Sequence, residues 1–284
     1  MRIILLGASG QVGKNLAMFL IGHEIVLCDR KMCDLTSPDQ IERLFISESF
    51  DLIINAAAFT EVDLAEEKKE LAYKINCNAP KLLAKKAFEL NVPIIHFSTD
   101  YVFDGLNDEK YTENDPTNPI NVYGESKLAG ELAIKESGAK YYIFRTSWVY
   151  SNWKKNFFMT ILRLCNEKKT IRIINDQNGI PTSAGFIAKQ INFIIPKLNE
   201  FNVGTYNLVP DSDGTWYDFA VSIIKLTNIR FRVENIIPIL SSDFKTLAKR
   251  PKNSILSNKK IKKIFMLKFK TWQEELDEFI KDFR

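Results

Sequence analysis

The chain is poor in the residues that hold metals and cross-link folds. Its 284 residues include only two histidines, His23 and His96, and four cysteines, Cys28, Cys33, Cys77 and Cys165. The histidines lie far apart and no cysteines are spaced as Cys-x-x-Cys, which argues against a zinc site and against a disulfide framework. Each cysteine therefore reads as a small buried apolar residue, and the chain as cytoplasmic. No apolar run reaches membrane-spanning length. The opening Met-Arg-Ile-Ile-Leu-Leu-Gly is too short for a signal peptide and lacks its cleavage site. Charge of one sign is also scarce: 39 Lys and Arg against 35 Asp and Glu leave +4, too mild to imply a nucleic-acid partner. The basic stretch 245–270 is interrupted by Leu, Ile, Phe and Met and reads as a solvated helical face. Internal repeats and low-complexity linkers are absent too.

What is present suits a soluble protein with a large core, either one domain or a domain with an appended lobe. Arg2 to Leu6 is a continuous apolar run, as expected of a parallel strand buried on both faces. Gly7-Ala-Ser-Gly10-Gln-Val-Gly13 follows, and Lys14 to Ile21 has helical periodicity. Strand, glycine turn and helix in that order form a dinucleotide fingerprint, here with GxxGxxG spacing. Gly7 serves the tight turn, Gly10 the approach of pyrophosphate, and Gly13 the closure of helix on strand. Glu24 to Cys28 reads as the second strand, ending at Asp29, 22 positions after Gly7. A carboxylate there accepts hydrogen bonds from the adenine-ribose hydroxyls and favours NADH. Arg30 beside it could instead stack on adenine or meet a 2′-phosphate, so NADH and NADPH both stay open.

Asp51 to Ala58 is a third strand ending in small residues, which suits backbone lying against a cofactor. Asp34 and Leu35 could hold the adenine edge and face, or belong to a plain helix-entry loop. The helical stretch 71–90 offers Asn76 as a polar residue on its inner face and a candidate cofactor contact. Pro93 to Phe97 reads as the fourth strand, and Ser98-Thr-Asp-Tyr-Val-Phe103 follows at its carboxyl end, where open α/β sheets bind ligands. A hydroxyl from Ser98 or Thr99 could bond a substrate carbonyl there. Tyr123 and Lys127 are four residues apart, one helical turn on one face. A free phenol has a pKa of about 10. A nearby ammonium lowers it toward the range of a useful general acid.

At this point the chain resembles the extended short-chain dehydrogenase/reductase superfamily and, within it, the dTDP-4-dehydrorhamnose reductase family. The matching segments run in order along nearly the whole chain. They are Gly7 to Gly13, Asn55-Ala-Ala-Ala58 with Thr60 and Val62-Asp63, Ser98 to Phe103, Asn121 to Gly124, Ser126 to Glu131, Phe144-Arg-Thr-Ser-Trp-Val-Tyr150, Asn175 to Thr182, and Arg250-Pro-x-Asn-Ser254. The resemblance implies Thr99, Tyr123 and Lys127 as catalytic residues. It implies cofactor contacts from Gly10, Gln11, Val12, Asp29, Asp34, Leu35, Ala56, Ala57, Ala58 and Thr60. Trp148 would pack by the sugar, with Asp100, Tyr101, Phe103, Asn156 and Arg250 near the sugar nucleotide. The implied reaction is reduction of the C4 ketone of dTDP-4-dehydro-L-rhamnose by NADPH or NADH, in a monomer or homodimer. Some members bind magnesium through carboxylates between subunits. Here the corresponding stretches read Lys14-Asn15 and Ala184-Gly185, so no metal is expected. Two alternatives remain open: a reductase of another 4-keto nucleotide-sugar, and a non-catalytic regulatory subunit of the methionine adenosyltransferase type.

The second half supplies a fifth strand at Tyr141 to Phe144, helices at 156–166 and 183–195, and short strands at 171–174, 204–209 and 236–240. Thr215 caps a helix over 216–226, and a terminal amphipathic helix covers 271–283. Arg250 carries a fixed charge that suits a diphosphate. The expected fold is a Rossmann-type doubly wound parallel sheet with a smaller C-terminal substrate-binding lobe. Residues 1–150 would form the first part, with segments returning from about 170–195 and 215–240, and 151–284 mainly the lobe.

Overall fold

The computed structural model describes residues 1–46, 48–227 and 229–283. The amino-terminal half winds as β1 (Arg2–Leu6), α1 (Gln11–Phe19), β2 (Glu24–Cys28), α2 (Pro38–Leu44), β3 (Leu52–Asn55), α3 (Val62–Glu67), α4 (Lys69–Tyr73), α5 (Ala79–Glu89), β4 (Ile94–Thr99), α6 (Val122–Lys135) and β5 (Tyr141–Thr146). A later strand, Gly204–Asn207, completes a six-stranded sheet beyond β5, in the order Gly204–Asn207, β5, β4, β3, β1, β2. All of its pairings are parallel.

Unbroken Ile and Leu runs make sense in such a sheet, because successive side chains point to opposite faces and both faces are covered. Ile3, Leu5, Ile95, Phe97 and Phe144 join one core, beneath α1 and the helix Ala184–Ile194. Ile4, Leu6, Ile53, Ile94 and Ile143 join the other, beneath α5 and α6. A further core gathers Tyr150, Phe158, Phe219 and Trp272 from the second half around Tyr111 of the first. The strands Thr170–Ile174 and Asn235–Ile239 pair parallel there, outside the main sheet. No helix among the described residues is long and apolar enough to cross a membrane.

Several expected boundaries move, each for a local reason. The first helix opens at Gln11, not Lys14, directly on the glycine turn. The third strand ends at Asn55, and Ala56 to Ala58 leave the sheet. The stretch 71–90 is interrupted by a π turn, Lys74–Asn78, between α4 and α5. The segment 215–240 does not return to the main sheet; Phe219, Ile223 and Ile236 pack in the second-half core, and Gly204–Asn207 returns instead. In 245–270 the α-helix is confined to Lys259–Phe265, and Lys262 pairs with Asp211 at 2.8 Å.

Candidate active site

The carboxyl ends of β1, β3, β4 and β5 converge, and the loops leaving them build the site. Gly7 turns with φ +76°, and a Cβ on it would lie 2.5 Å from the Ala57 nitrogen. A Cβ on Gly13 would lie 2.2 Å from the Gly7 carbonyl oxygen, so helix and turn touch backbone to backbone. Gly10, the N-cap residue of α1, supplies no side-chain cap, and the first turn holds no acidic residue. The helix-opening N–H groups, Gln11 and Val12 among them, are therefore free to bond an anion, which is what a pyrophosphate needs. The residues present fit a dinucleotide on this count.

At the end of β2, Asp29 Oδ1 accepts from the Lys31 and Met32 N–H groups at 2.9 and 3.1 Å. Arg30 turns toward Asp34 in a 3.6 Å ion pair. Hydrogen bonds from Thr36, more than that pair, hold the Asp34 carboxyl below its usual range. Leu35 packs on the core behind them, and Thr60 is exposed. Asn76 departs from its expected cofactor contact. Its Oδ1 accepts from Phe59 N at 2.8 Å, and its Nδ2 donates to Phe59 O and Ser126 Oγ at 3.0 Å each. The amide is thereby spent on clamping the loop after β3 to α6.

Asn121 caps α6 by accepting from Gly124 N at 2.8 Å, which sets Tyr123 in the first turn. A Cβ on Gly124 would lie 2.2 Å from Tyr101 O, and one on Gly130 would lie 2.1 Å from Asn76 O. The helix is thus pressed against the turn Asp100–Val102 at one end and the π turn at the other. Thr99 donates to Asp100 Oδ1 at 3.0 Å and accepts from Tyr101 N at 3.2 Å. The Tyr101 ring stands edge-on to Tyr123, with centroids 6.0 Å apart.

The expected tuning of the phenol by Lys127 is not what this geometry shows. Burial pushes Tyr123 up to about 12, with Thr99 opposing and Asp100 adding to the rise. Lys127 Nζ instead donates to Phe97 O at 2.5 Å and faces His96 Nε2 at 3.2 Å. Burial pushes the lysine down to about 8, against the charge of Glu131.

Asp100 is 2% exposed, and its Oδ2 has no hydrogen-bond partner. Burial pushes its carboxyl up to about 7, with Ser254 and Thr99 opposing the rise. An unfolded aspartate titrates near 4, so Asp100 favours the folded state below about pH 4 and loses that contribution as pH rises through 7. Asp100→Asn should therefore stabilise the fold more at pH 8 than at pH 5. Urea unfolding at both values reads this, and an equal effect at the two would contradict it.

The residues expected near the sugar divide. Trp148, with φ +46°, stacks face to face on Trp216 at 3.6 Å. Trp216 was not foreseen, since it opens a helix about 70 residues further along. Phe103 is a correction: it is fully buried, stacked on Tyr111 at 4.2 Å beneath the Arg145 guanidinium, and its ring belongs to the core. Asn156 caps the helix Phe157–Glu167 and donates to Gln11 Oε1 at 2.8 Å, tying the glycine turn to the second half. Arg250 is also corrected. Its charge is not free for a diphosphate but forked onto Asp63, with Nη2–Oδ2 at 2.6 Å and Nη1–Oδ1 at 3.2 Å. Where Lys14-Asn15 approaches Ala184-Gly185, Asn15 Oδ1 lies 3.7 Å from where a Gly185 Cβ would sit. An amide and a glycine offer no carboxylate to a divalent cation.

The whole chain, residues 1–284, matches the family model of the RmlD substrate binding domain. It is 40% identical over 283 residues to the dTDP-4-dehydrorhamnose reductase of Escherichia coli strain K12, spanning 96% of this chain and 95% of that protein. The crystal structure of the dTDP-4-dehydrorhamnose reductase from Bacillus anthracis in complex with NADP is similar, with a TM-score of 0.93, 35% identity and 99% of each chain covered. That of the Clostridium acetobutylicum counterpart has a TM-score of 0.94 and 37% identity, covering 100% of this chain and 99% of the other.

Proposed function

The chain belongs to the dTDP-4-dehydrorhamnose reductase family, and from that premise we propose that it reduces the C4 ketone of dTDP-4-dehydro-L-rhamnose with NADPH or NADH. The observation that carries the reading is the seating of α6 on the carboxyl end of β4, with the Tyr123 ring 6.0 Å from that of Tyr101 and Lys127 Nζ donating to Phe97 O at 2.5 Å, beside the glycine turn. The reduced nicotinamide, when bound, supplies the hydride. Gly7, Gly10, Gln11, Val12 and Gly13 hold its pyrophosphate, Asp29 and Asp34 the adenosine end, and the Ala56 to Ala58 backbone lies along it. NADP in the Bacillus anthracis relative supports NADPH as one partner.

Tyr123 gives its proton to the carbonyl oxygen. A phenol pushed up to about 12 keeps that proton throughout the neutral range, the state a donor requires. Thr99, whose one proton lies on Asp100 Oδ1, turns it to the same oxygen as negative charge develops there, a hydrogen bond worth up to about 3 kcal/mol. Asp100 and Tyr101, in the turn next to Thr99, border the sugar; Trp148 and Trp216 offer it an apolar wall. Asp63 holds Arg250 in place across the opening. The catalytic trio Thr99, Tyr123 and Lys127 supports an enzyme over a regulatory subunit.

Loss of absorbance by NADPH or NADH on adding dTDP-4-dehydro-L-rhamnose tests the reading. Turnover is the expected result. Dinucleotide binding with turnover only on a different 4-keto nucleotide-sugar would replace the proposed substrate.

A further inference from the structure

His96 sits on β4 with no solvent exposure, and its two ring nitrogens are both engaged. Asn55 of β3 lies in register with it. Asn55 Oδ1 accepts from the Ala57 backbone N–H at 3.1 Å, and a backbone N–H can only donate. That contact fixes the amide, so Asn55 Nδ2 is the donor toward His96 Nδ1 at 3.1 Å. Nδ1 is then an acceptor, and a neutral ring carries its proton on Nε2. Nε2 in turn faces Lys127 Nζ at 3.2 Å. An ammonium there would set N–H against N–H. A neutral amine resolves the conflict, with a lone pair for Nε2–H and an N–H for Phe97 O.

We propose that His96 is a positioning residue for the reduction: its Nε2–H holds Lys127 against the Phe97 carbonyl in the amine form, and Asn55 fixes the tautomer that allows this. The inference rests on the reductase reading. Its consequence is that the charge next to Tyr123 is gained and lost near neutral pH instead of being permanent.

The surroundings agree. Burial pushes His96 well below its usual value, so the ring stays neutral, and the charge of Lys127 adds to this only in the ammonium form. Burial pushes Lys127 down to about 8. The charged group acting on Lys127 is Glu131, one turn along α6 and itself forked onto Arg145 of β5. Tyr123 lies one turn before, with Asp100 beyond it acting on that phenol. The π turn brings Cys77, a thiol that burial pushes up and so keeps neutral, and the buried face of α5 is apolar.

Nitrogen-15 NMR of the imidazoles tests this without any ligand. The chain has only two histidines, and His23→Asn identifies the other signal. The expected result is a His96 proton on Nε2. In Asn55→Asp, a carboxylate accepts from both Ala57 N–H and Nδ1–H, so the proton should move to Nδ1. The pH dependence of kcat/KM for the reduced dinucleotide supplies the second arm, because it reports the free enzyme. Removing the donor in His96→Phe, or reversing it in Asn55→Asp, should move the alkaline limb up by about one pH unit. A proton on Nδ1 in the unsubstituted chain overturns the proposal, as does a limb that stays in place in both variants. Absence of turnover in the unsubstituted chain counts against the reductase reading instead, and the NMR arm then decides alone.

Discussion

Tyr123→Phe should cut turnover by about a thousandfold while leaving dinucleotide affinity nearly unchanged, since a positioned general acid contributes roughly 10²–10⁴ in rate. The ring stays in place: its edge contact with Tyr101 and its position in the first turn of α6 do not depend on the hydroxyl. Thr99 keeps a partner on each side, Asp100 Oδ1 and Tyr101 N, so no buried group is stranded by the change. The loss should therefore appear in kcat rather than in folding. Steady-state kinetics beside a dinucleotide titration separates the two. A rate within tenfold of the original would remove the tyrosine from the proton transfer.

The largest stability effect is expected beneath the site. Glu131 and Arg145 are 0% and 1% exposed and joined by two hydrogen bonds, 2.9 and 2.7 Å long. Burial pushes the Glu131 carboxyl up, but Arg145 outweighs it and holds the group below the usual carboxylate range. The pair's contribution is thus present above about pH 4 and lost as acid protonates the carboxylate. Glu131→Leu leaves the guanidinium buried without a counter-charge, which costs about 3–5 kcal/mol. Arg145 Nη1 already lacks a partner, so it has no alternative acceptor among the described residues. Urea unfolding near neutral pH reads the loss; a change under about 1 kcal/mol would mean that water reaches the arginine. Because the pair joins α6 to β5, the same substitution should loosen the register in which Lys127 meets β4.

The sequence carried the local parts of this arrangement well. The glycine turn is one contiguous segment, and Tyr123 and Lys127 share a helix face by spacing alone. Strand runs such as Ile3 to Leu6 have few other uses. What stayed hidden depends on pairs distant along the chain. Asp63 and Arg250 are 187 residues apart, and neither announces the other. Trp216 meets Trp148 only because the second half folds back over the sheet edge. Phe103 misled for a local reason: after Thr99 the strand becomes a 3-10 turn, so strand alternation no longer says which ring faces the site. Asn76 does lie on the inner face, but its partners Phe59 and Ser126, 17 and 50 residues away, could not be read from spacing. His96 sits inside an apolar strand and reads there as filler until its neighbours on β3 and α6 are known.

The covering of the sheet by Ala184–Ile194 bears on how the protein is made. β1 and α1 leave the ribosome well over a hundred residues before Ala184–Ile194, yet Ile3, Leu5 and Leu16 share their core with Phe186, Ile187 and Ile191. At translation speeds of about 5–20 residues per second, that apolar surface waits on the order of ten to forty seconds for its cover. Throughout that interval this face of the sheet stands uncovered, and slower elongation lengthens the exposure.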